Sequence, residues 1–320
     1  MGQSSVSAVR FVRRMSGGSQ ACLVEADDSR RYVVKFRNNP QGRNVLFNDF
    51  MATAIQEECG LLVPPCKTIM TSESFFDENR ESWLLTCDGT ERPEAGLSFA
   101  SLYMGDVVGR SGLMVLPNRS YSRVHNRASF WLAWLIDIIT EQTDRRQVLF
   151  LEVLPGRLSA VFLDNGHSFG GPTGAAGRAF ASSLYYDYRV YSDISDEQFA
   201  KHRSSILRSR MNKLWRLAES LPDEWKSESS MKRFALCLDN LARPGLVASV
   251  QEAMVQALSL RRNRQYGQEP ECEAQLRSVL HCGLSPTVES FPGVGSATHY
   301  LTFAQNGSGR STDLRPPTLA

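Results

Sequence analysis

Hydrophobic positions change their period about one third of the way along the chain. Phe11 and Val12, and then Ala21 to Ala26, read as extended segments on either side of Ser16-Gly17-Gly18-Ser19, whose glycines are turn chemistry. After a second turn at Asp27-Asp28-Ser29, residues Arg31 to Phe36 alternate. Tyr32, Val34 and Phe36 share one face, and Val33 and Lys35 the other. Beyond the loop Asn38-Asn39-Pro40-Gln41-Gly42, Phe47, Met51, Ala54 and Ile55 recur at helical spacing. They predict a helix from Asn44 to Cys59, stopped by Gly60. Residues 63 to 100 hold further strand-like pieces, Ser82 to Cys87 among them.

From about residue 105 the pattern changes. A helix is predicted over Ala128 to Ile139, followed by strands Val148 to Val153 and Leu158 to Leu163 around the turn Leu154-Pro155-Gly156-Arg157. Residues 170 to 196 are Gly-rich and then Tyr-rich, without a clear period. From Asp196 the chain reads as helical. Ile206, Leu207, Met211, Leu214, Trp215 and Ala218 form one amphipathic stripe, and Pro222 opens a short turn before Trp225. Met231, Phe234, Leu238 and Leu241 mark a second helix that ends at Pro244, and Val247 to Leu260 a third. After residue 284 charges are few and no period survives, so a flexible tail is expected. The order predicts an α+β fold in two lobes: strand-rich over 1–100, mainly helical over 101–265, with a tail over 266–320.

Composition narrows the function classes. The chain has 320 residues, 42% hydrophobic and 22% charged, with a formal net charge of +2, so general binding to nucleic acid by phosphate neutralisation has no support. Its 7 cysteines are an odd number without a Cys-x-x-Cys pair. Neither a zinc site nor a disulfide framework is suggested, and a reducing cytosol is the natural setting. Met1 to Arg14 has no continuous apolar core of a secretory signal, and Val6 stands where N-myristoylation wants Ser or Thr. The longest apolar run, Phe130 to Ile136, falls far short of the ~20 residues of a membrane helix. A cytoplasmic soluble protein, with no membrane association, is expected. The basic residues Lys201, Arg203, Arg208, Arg210, Lys213 and Arg216 read as a solvated helix face, so no DNA binding of its own is expected.

The hairpin carries the candidate chemistry. With the turn centred between Pro155 and Gly156, antiparallel pairing sets Gln147 opposite Asp164, and Asp144 lies three residues upstream at the same open end. Two carboxylates and an amide oxygen suit a hard cation such as Mg²⁺, and one carboxylate could instead orient or deprotonate a hydroxyl. Polar residues at hairpin ends are also common, and Asp144-Arg145-Arg146 is compatible with a solvated charge cluster. The first third adds context. A Gly-rich strand-turn-strand, a lysine in an apolar strand and a helix bearing Asp49 come in the order that cradles phosphate, neutralises it and holds the lysine.

The run Tyr32-Val33-Val34-Lys35-Phe36-Arg37-Asn38-Asn39-Pro40-Gln41-Gly42, with Asn48-Asp49, resembles the opening of the HipA-like kinases. Gly105-Asp106 before Leu116-Pro117, Thr143-Asp144-Arg145-Arg146-Gln147 and the block Leu163-Asp164-Asn165-Gly166-His167-Ser168-Phe169-Gly170-Gly171 continue the resemblance, which spans roughly residues 8 to 260. It implies a two-lobed protein-kinase-like fold that uses ATP and Mg²⁺ to phosphorylate Ser or Thr of an unidentified protein or of itself. Lys35 would contact the phosphates and Asp49 would hold it. Asp144 would position the hydroxyl, Asp164 would hold Mg²⁺ with Gln147 as a further ligand, and Gly17-Gly18-Ser19-Gln20 would cover the phosphates. Ser16 sits where relatives carry an autophosphorylated serine.

Two departures point to the alternative of a nucleotide-binding pseudokinase acting as a regulatory interaction module. Asp49 stands where the family has Glu, one methylene longer, so its ion pair is expected to be longer or to form only in a closed state. Leu149 stands where kinases place a metal-binding Asn, five residues after the catalytic Asp.

Overall fold

The computed structural model describes residues 6–105, 112–116, 118–173, 183–191 and 195–263. Asp106, Pro117 and the expected flexible tail lie outside these. The elements in chain order begin with β1 (Val6–Arg14), β2 (Cys22–Ala26), β3 (Arg31–Lys35), helix α1 (Val45–Glu58), β4 (Cys66–Thr71) and α2 (Glu73–Glu78). The short strands β5 (Leu84–Thr86) and β6 (Gly89–Glu91) precede β7 (Gly96–Leu102). Then come α3 (Ser129–Ile139), β8 (Gln147–Leu154), β9 (Arg157–Leu163), α4 (Asp196–Leu207), α5 (Met211–Ser220), α6 (Glu228–Leu241) and α7 (Pro244–Asn263).

Five of the strands close into a barrel in the order β1-β2-β3-β7-β4. A strand-rich region was expected, and closure is what the sequence did not announce. The joint is a short parallel pairing of β1 with β4, Val6 opposite Ile69 and Ser7 opposite Met70. Alternation sends Cys22, Val24, Tyr32, Val34, Ile69 and Ala100 into one buried apolar cluster, which Phe36, Phe75 and Phe76 join. Helix α2, which the sequence pattern did not reveal, supplies the last two, and Phe76 meets Phe36 edge-on at 5.1 Å. Strand β1 is longer than its apolar pair Phe11-Val12 suggests, because Arg10, Arg13 and Arg14 interrupt the pattern.

A second and larger apolar cluster joins α1 to α3, the β8–β9 hairpin and the C-terminal helices. Helix α1 is buried at every residue from Val45 to Gln56. It is therefore a wall shared by the barrel side and the helical side rather than a surface helix. Phe47 packs against both Phe169 and Phe234, at 6.2 and 5.8 Å between ring centroids.

The single stripe expected from Ile206 to Ala218 is two helices. Arg208-Ser209-Arg210 has no apolar residue to continue it, and Ser209 N–H turns back to the Ile206 carbonyl at 2.9 Å. Ile206 and Leu214 are buried on either side of the break, whereas Leu207 is exposed. No helix among the described residues is long and apolar enough to cross a membrane.

Candidate functional site

Three parts of the chain meet at Lys35: strand β3, helix α1 and the segment after β9. The alternation of β3 turns Tyr32 and Val34 into the barrel and sends Lys35 outward against α1, where it is 5% exposed. Its Nζ lies 2.6 Å from Asp49 Oδ2 and 2.7 Å from Asp164 Oδ1, so one ammonium serves two carboxylates. The expectation of a long Lys35–Asp49 pair is overturned. Helix α1 lies close enough that the shorter acid reaches, and Asp49 also accepts from the backbone N–H of Asn165 at 2.9 Å.

Asp164 follows β9 with φ of +56°, a left-handed conformation that Asp tolerates better than most residues. The chain thereby leaves the ladder sharply. The expected pairing of Gln147 with Asp164 is off by one: Gln147 opposes Leu163. The cause is a bulge, since Leu154 pairs with Arg157 but Glu152 pairs with Leu158, leaving Val153 as the extra residue. The side chains still meet, because Gln147 Nε2 donates to Asp164 Oδ2 at 2.8 Å. Gln147 is thus a clamp on the Asp164 carboxylate.

The loop after Asp164 is fastened along its length. Asn48 on α1 donates to the carbonyls of Gly166, Ser168 and Gly171 at 3.2, 2.8 and 3.2 Å. Gln142 donates to the Asp164 carbonyl at 3.2 Å and accepts from Ser168 Oγ at 3.1 Å. Thr143 N–H donates to the His167 carbonyl at 2.9 Å and Phe169 N–H to the Thr140 carbonyl, which zips the segment before Asp144 to the segment after Asp164. Gln142 carries no signal in the sequence, and Asn48 stands there only as part of the Asn48-Asp49 pair, without a role assigned to it.

Charge follows from this enclosure. Burial alone would lower the Lys35 pKa, but the negative charges of Asp164 and Asp49 outweigh it and hold the ammonium above its ordinary value. For Asp49 burial dominates over Lys35, and its pKa is raised. For Asp164 burial also pushes upward, but Lys35, then His167 and the Gly166 N–H, pull harder, and its pKa lies below the usual carboxylate value. One ammonium faces two carboxyl groups, so the group carries one surplus negative charge whenever both acids are ionised.

The remaining candidates lie as follows. Asp144 is half-buried and its carboxylate accepts from the N–H of Arg145 at 2.7 Å. Among the described residues no hydrogen bond joins it to Asp164 or Gln147, whereas those two are bonded to each other. Gly17 and Gly18 form an exposed turn with Ser16, and Gly17 needs its glycine for a φ of +122°. Ser19 is buried and its carbonyl accepts from Asn39 Nδ2 at 3.0 Å. Gln20 spends its amide on the backbone of Leu85, donating to the carbonyl and accepting from the N–H, both at 2.7 Å. It anchors the turn rather than facing a ligand. Leu149, where a metal-binding Asn was absent, has its side chain against Gly112.

Among the described residues no group of three or more His, Cys, Asp or Glu could hold a metal by itself. Asp164 with the amide of Gln147, and one unneutralised negative charge, fits a Mg²⁺ that brings phosphate oxygens with it. It does not fit a metal caged by protein alone.

No family model matches the chain, and no curated protein matches it. Among solved structures it is similar to the proinflammatory kinase CtkA of Helicobacter pylori. The identity is 13% and the TM-score 0.45, with 77% of this chain and 96% of that one covered.

Proposed function

We propose that this chain is a HipA-like Ser/Thr protein kinase of two lobes that transfers the γ-phosphoryl group of ATP to a protein hydroxyl. The observation that carries the reading is Lys35, buried on a barrel strand between a helix acid and a loop acid. A structural ion pair needs one acid. A second, clamped by Gln147 and more accessible than the first, suits a group that must neutralise an incoming polyanion and its cation.

In this reading Lys35 binds the α- and β-phosphates while Asp49 holds it. Asp164 and Gln147 would hold Mg²⁺, whose charge draws electron density from the breaking bond when it is bound. Asp144 orients the substrate hydroxyl and takes its proton as the new O–P bond forms and the bond from the β–γ bridging oxygen breaks, releasing ADP. Gly17, Gly18 and Ser19 cover the phosphates, with Gln20 as their anchor. Ser16, exposed on that turn, is the candidate for self-modification. The work belongs to the cytoplasm, with an unidentified protein substrate and no DNA or membrane partner.

A second reading, a nucleotide-binding pseudokinase acting as an interaction module, rests on Leu149 and on the amide of Gln147 being given to Asp164. Incubation of the purified chain with γ-labelled ATP and Mg²⁺, beside Asp144→Asn, separates the two. Label on the wild type alone supports the kinase, and equal label on both removes Asp144 from its role. Thermal stabilisation by nucleotide without transfer favours the pseudokinase.

A further inference from the structure

Behind the lysine site lies a second polar group that the proposed reaction does not use. Asp137 is the one charged residue in the apolar run of α3, and it is fully buried with Arg146 as its partner. Arg146 Nε donates to Asp137 Oδ2 at 2.9 Å, and a second guanidinium nitrogen donates to Oδ1. The remaining Nη1 donates to the Leu163 carbonyl at 2.9 Å and to Asn165 Oδ1 at 2.8 Å. Asn165 in turn donates to Thr53 Oγ1 at 2.9 Å and to Gln56 Oε1 at 3.3 Å, and accepts from Gln56 Nε2 at 2.8 Å. Gln56 Nε2 also reaches Asp137 Oδ1 at 3.5 Å.

The placement along the chain gives this group its meaning. Arg146 immediately precedes Gln147, and its two outer contacts, Leu163 and Asn165, bracket Asp164. Asn165 is also the residue whose N–H holds Asp49. We infer that Arg146, backed by Asp137 and coupled through Asn165, is a positioning residue that sets Asp164 against Lys35 and Gln147. A merely stabilising ion pair has no reason to hold both neighbours of one carboxylate. The planar guanidinium can do so because its donors leave in fixed directions. Burial pushes Asp137 up to about 6, with Arg146 pulling against it, so the pair is costly as a source of stability alone. The inference rests on the kinase reading for its effect on rate, but not for its effect on Lys35.

Arg146→Met alone would strand a buried Asp137 and is expected to misfold. The informative variant is Asp137→Leu with Arg146→Met, which removes both charges and keeps apolar bulk. It should fold, by circular dichroism and melting temperature, yet transfer phosphate about a hundredfold more slowly and need severalfold more Mg²⁺ for half its own maximum rate. Lys35 should also react several times faster with an amine-acylating reagent, read by mass spectrometry, because Asp164 no longer stays on it. If the double variant requires the pair to fold, Asn165→Asp, which keeps the acceptor facing Arg146 and deletes two donors, should give the same changes in smaller measure. A folded variant with wild-type Lys35 reactivity overturns the inference, whether or not the wild type transfers phosphate. No transfer and no nucleotide binding by the wild type, with Lys35 reactivity raised in the variant, would instead count against the kinase reading alone.

Discussion

Two groups of charged side chains lie either side of the Asp164-Asn165 peptide, and they are built to opposite rules. The group around Lys35 has two acids for one base, and its Asp164 side chain is 26% exposed. The group around Arg146 has one acid for one base, with side chains 1% and 0% exposed, and its donors are spent on named acceptors. An unbalanced, partly open group gains by admitting a cation, because among the described residues no second lysine or arginine pairs with its acids. A balanced, closed group gains nothing from a ligand and can only fix its surroundings. Polar burial alone therefore does not mark a binding site here. The charge count and the opening do.

The largest expected effect falls on the open group. Asp164→Asn keeps the shape and removes the surplus charge, so phosphate transfer should fall about 10³-fold at saturating Mg²⁺ in an initial-rate assay. A near-wild-type rate would leave the two groups functionally alike. Lys35→Met should come next, leaving Asp49 and Asp164 to repel each other in a poorly solvated place. A loss of about 3 kcal/mol in denaturant unfolding is expected, and a melt unchanged by the substitution would mean that the pair is not held. Asp49→Glu brings in the residue found in the HipA-like kinases that the sequence resembles, but pushes an extra methylene into a contact already closed at 2.6 Å. It should cost about 1–3 kcal/mol rather than improve the site, and a gain in either stability or rate would contradict the packing described.

The smallest effect is one of pH on the closed group. The Asp137 pKa rises from 3.8 to about 6, so the folded state holds its proton more tightly than the unfolded one. Its contribution to stability is greatest at low pH and falls as pH rises through that window. Melting of the wild type relative to Asp137→Asn should show the difference shrinking between about pH 4 and pH 6. A difference that grows would mean that Arg146 outweighs burial.

The open group was largely legible in the sequence. Alternation in Arg31 to Phe36 sets Lys35 apart from its apolar neighbours, and helical spacing carries Asp49 on α1. The hairpin was found from its turn, but its register was not, because a bulge at Val153 leaves no mark in a run of apolar residues. The closed group was invisible for a different reason. Arg146 sits beside Arg145 in what reads as a solvated cluster, and only the fold buries the one and exposes the other. A signal did exist in Asp137, a lone acid among Trp131, Trp134, Leu135, Ile136, Ile138 and Ile139, which cannot be buried without a partner. Barrel closure had no such clue, since it depends on two residues of β1 finding β4 far along the chain.

That closure sets an order of assembly. β1 can pair with β2 as soon as both exist, but its other side waits for β4, and β4 is tied to β3 only through β7. The barrel cannot shut until residue 102 is available, and its shortest seam is the parallel contact of Val6-Ser7 with Ile69-Met70. A seam this short, formed across so long a stretch of chain, should zip late and open first. Val6 and Ser7 would then be where protease and deuterium enter the barrel, well before the antiparallel ladders on either side give way.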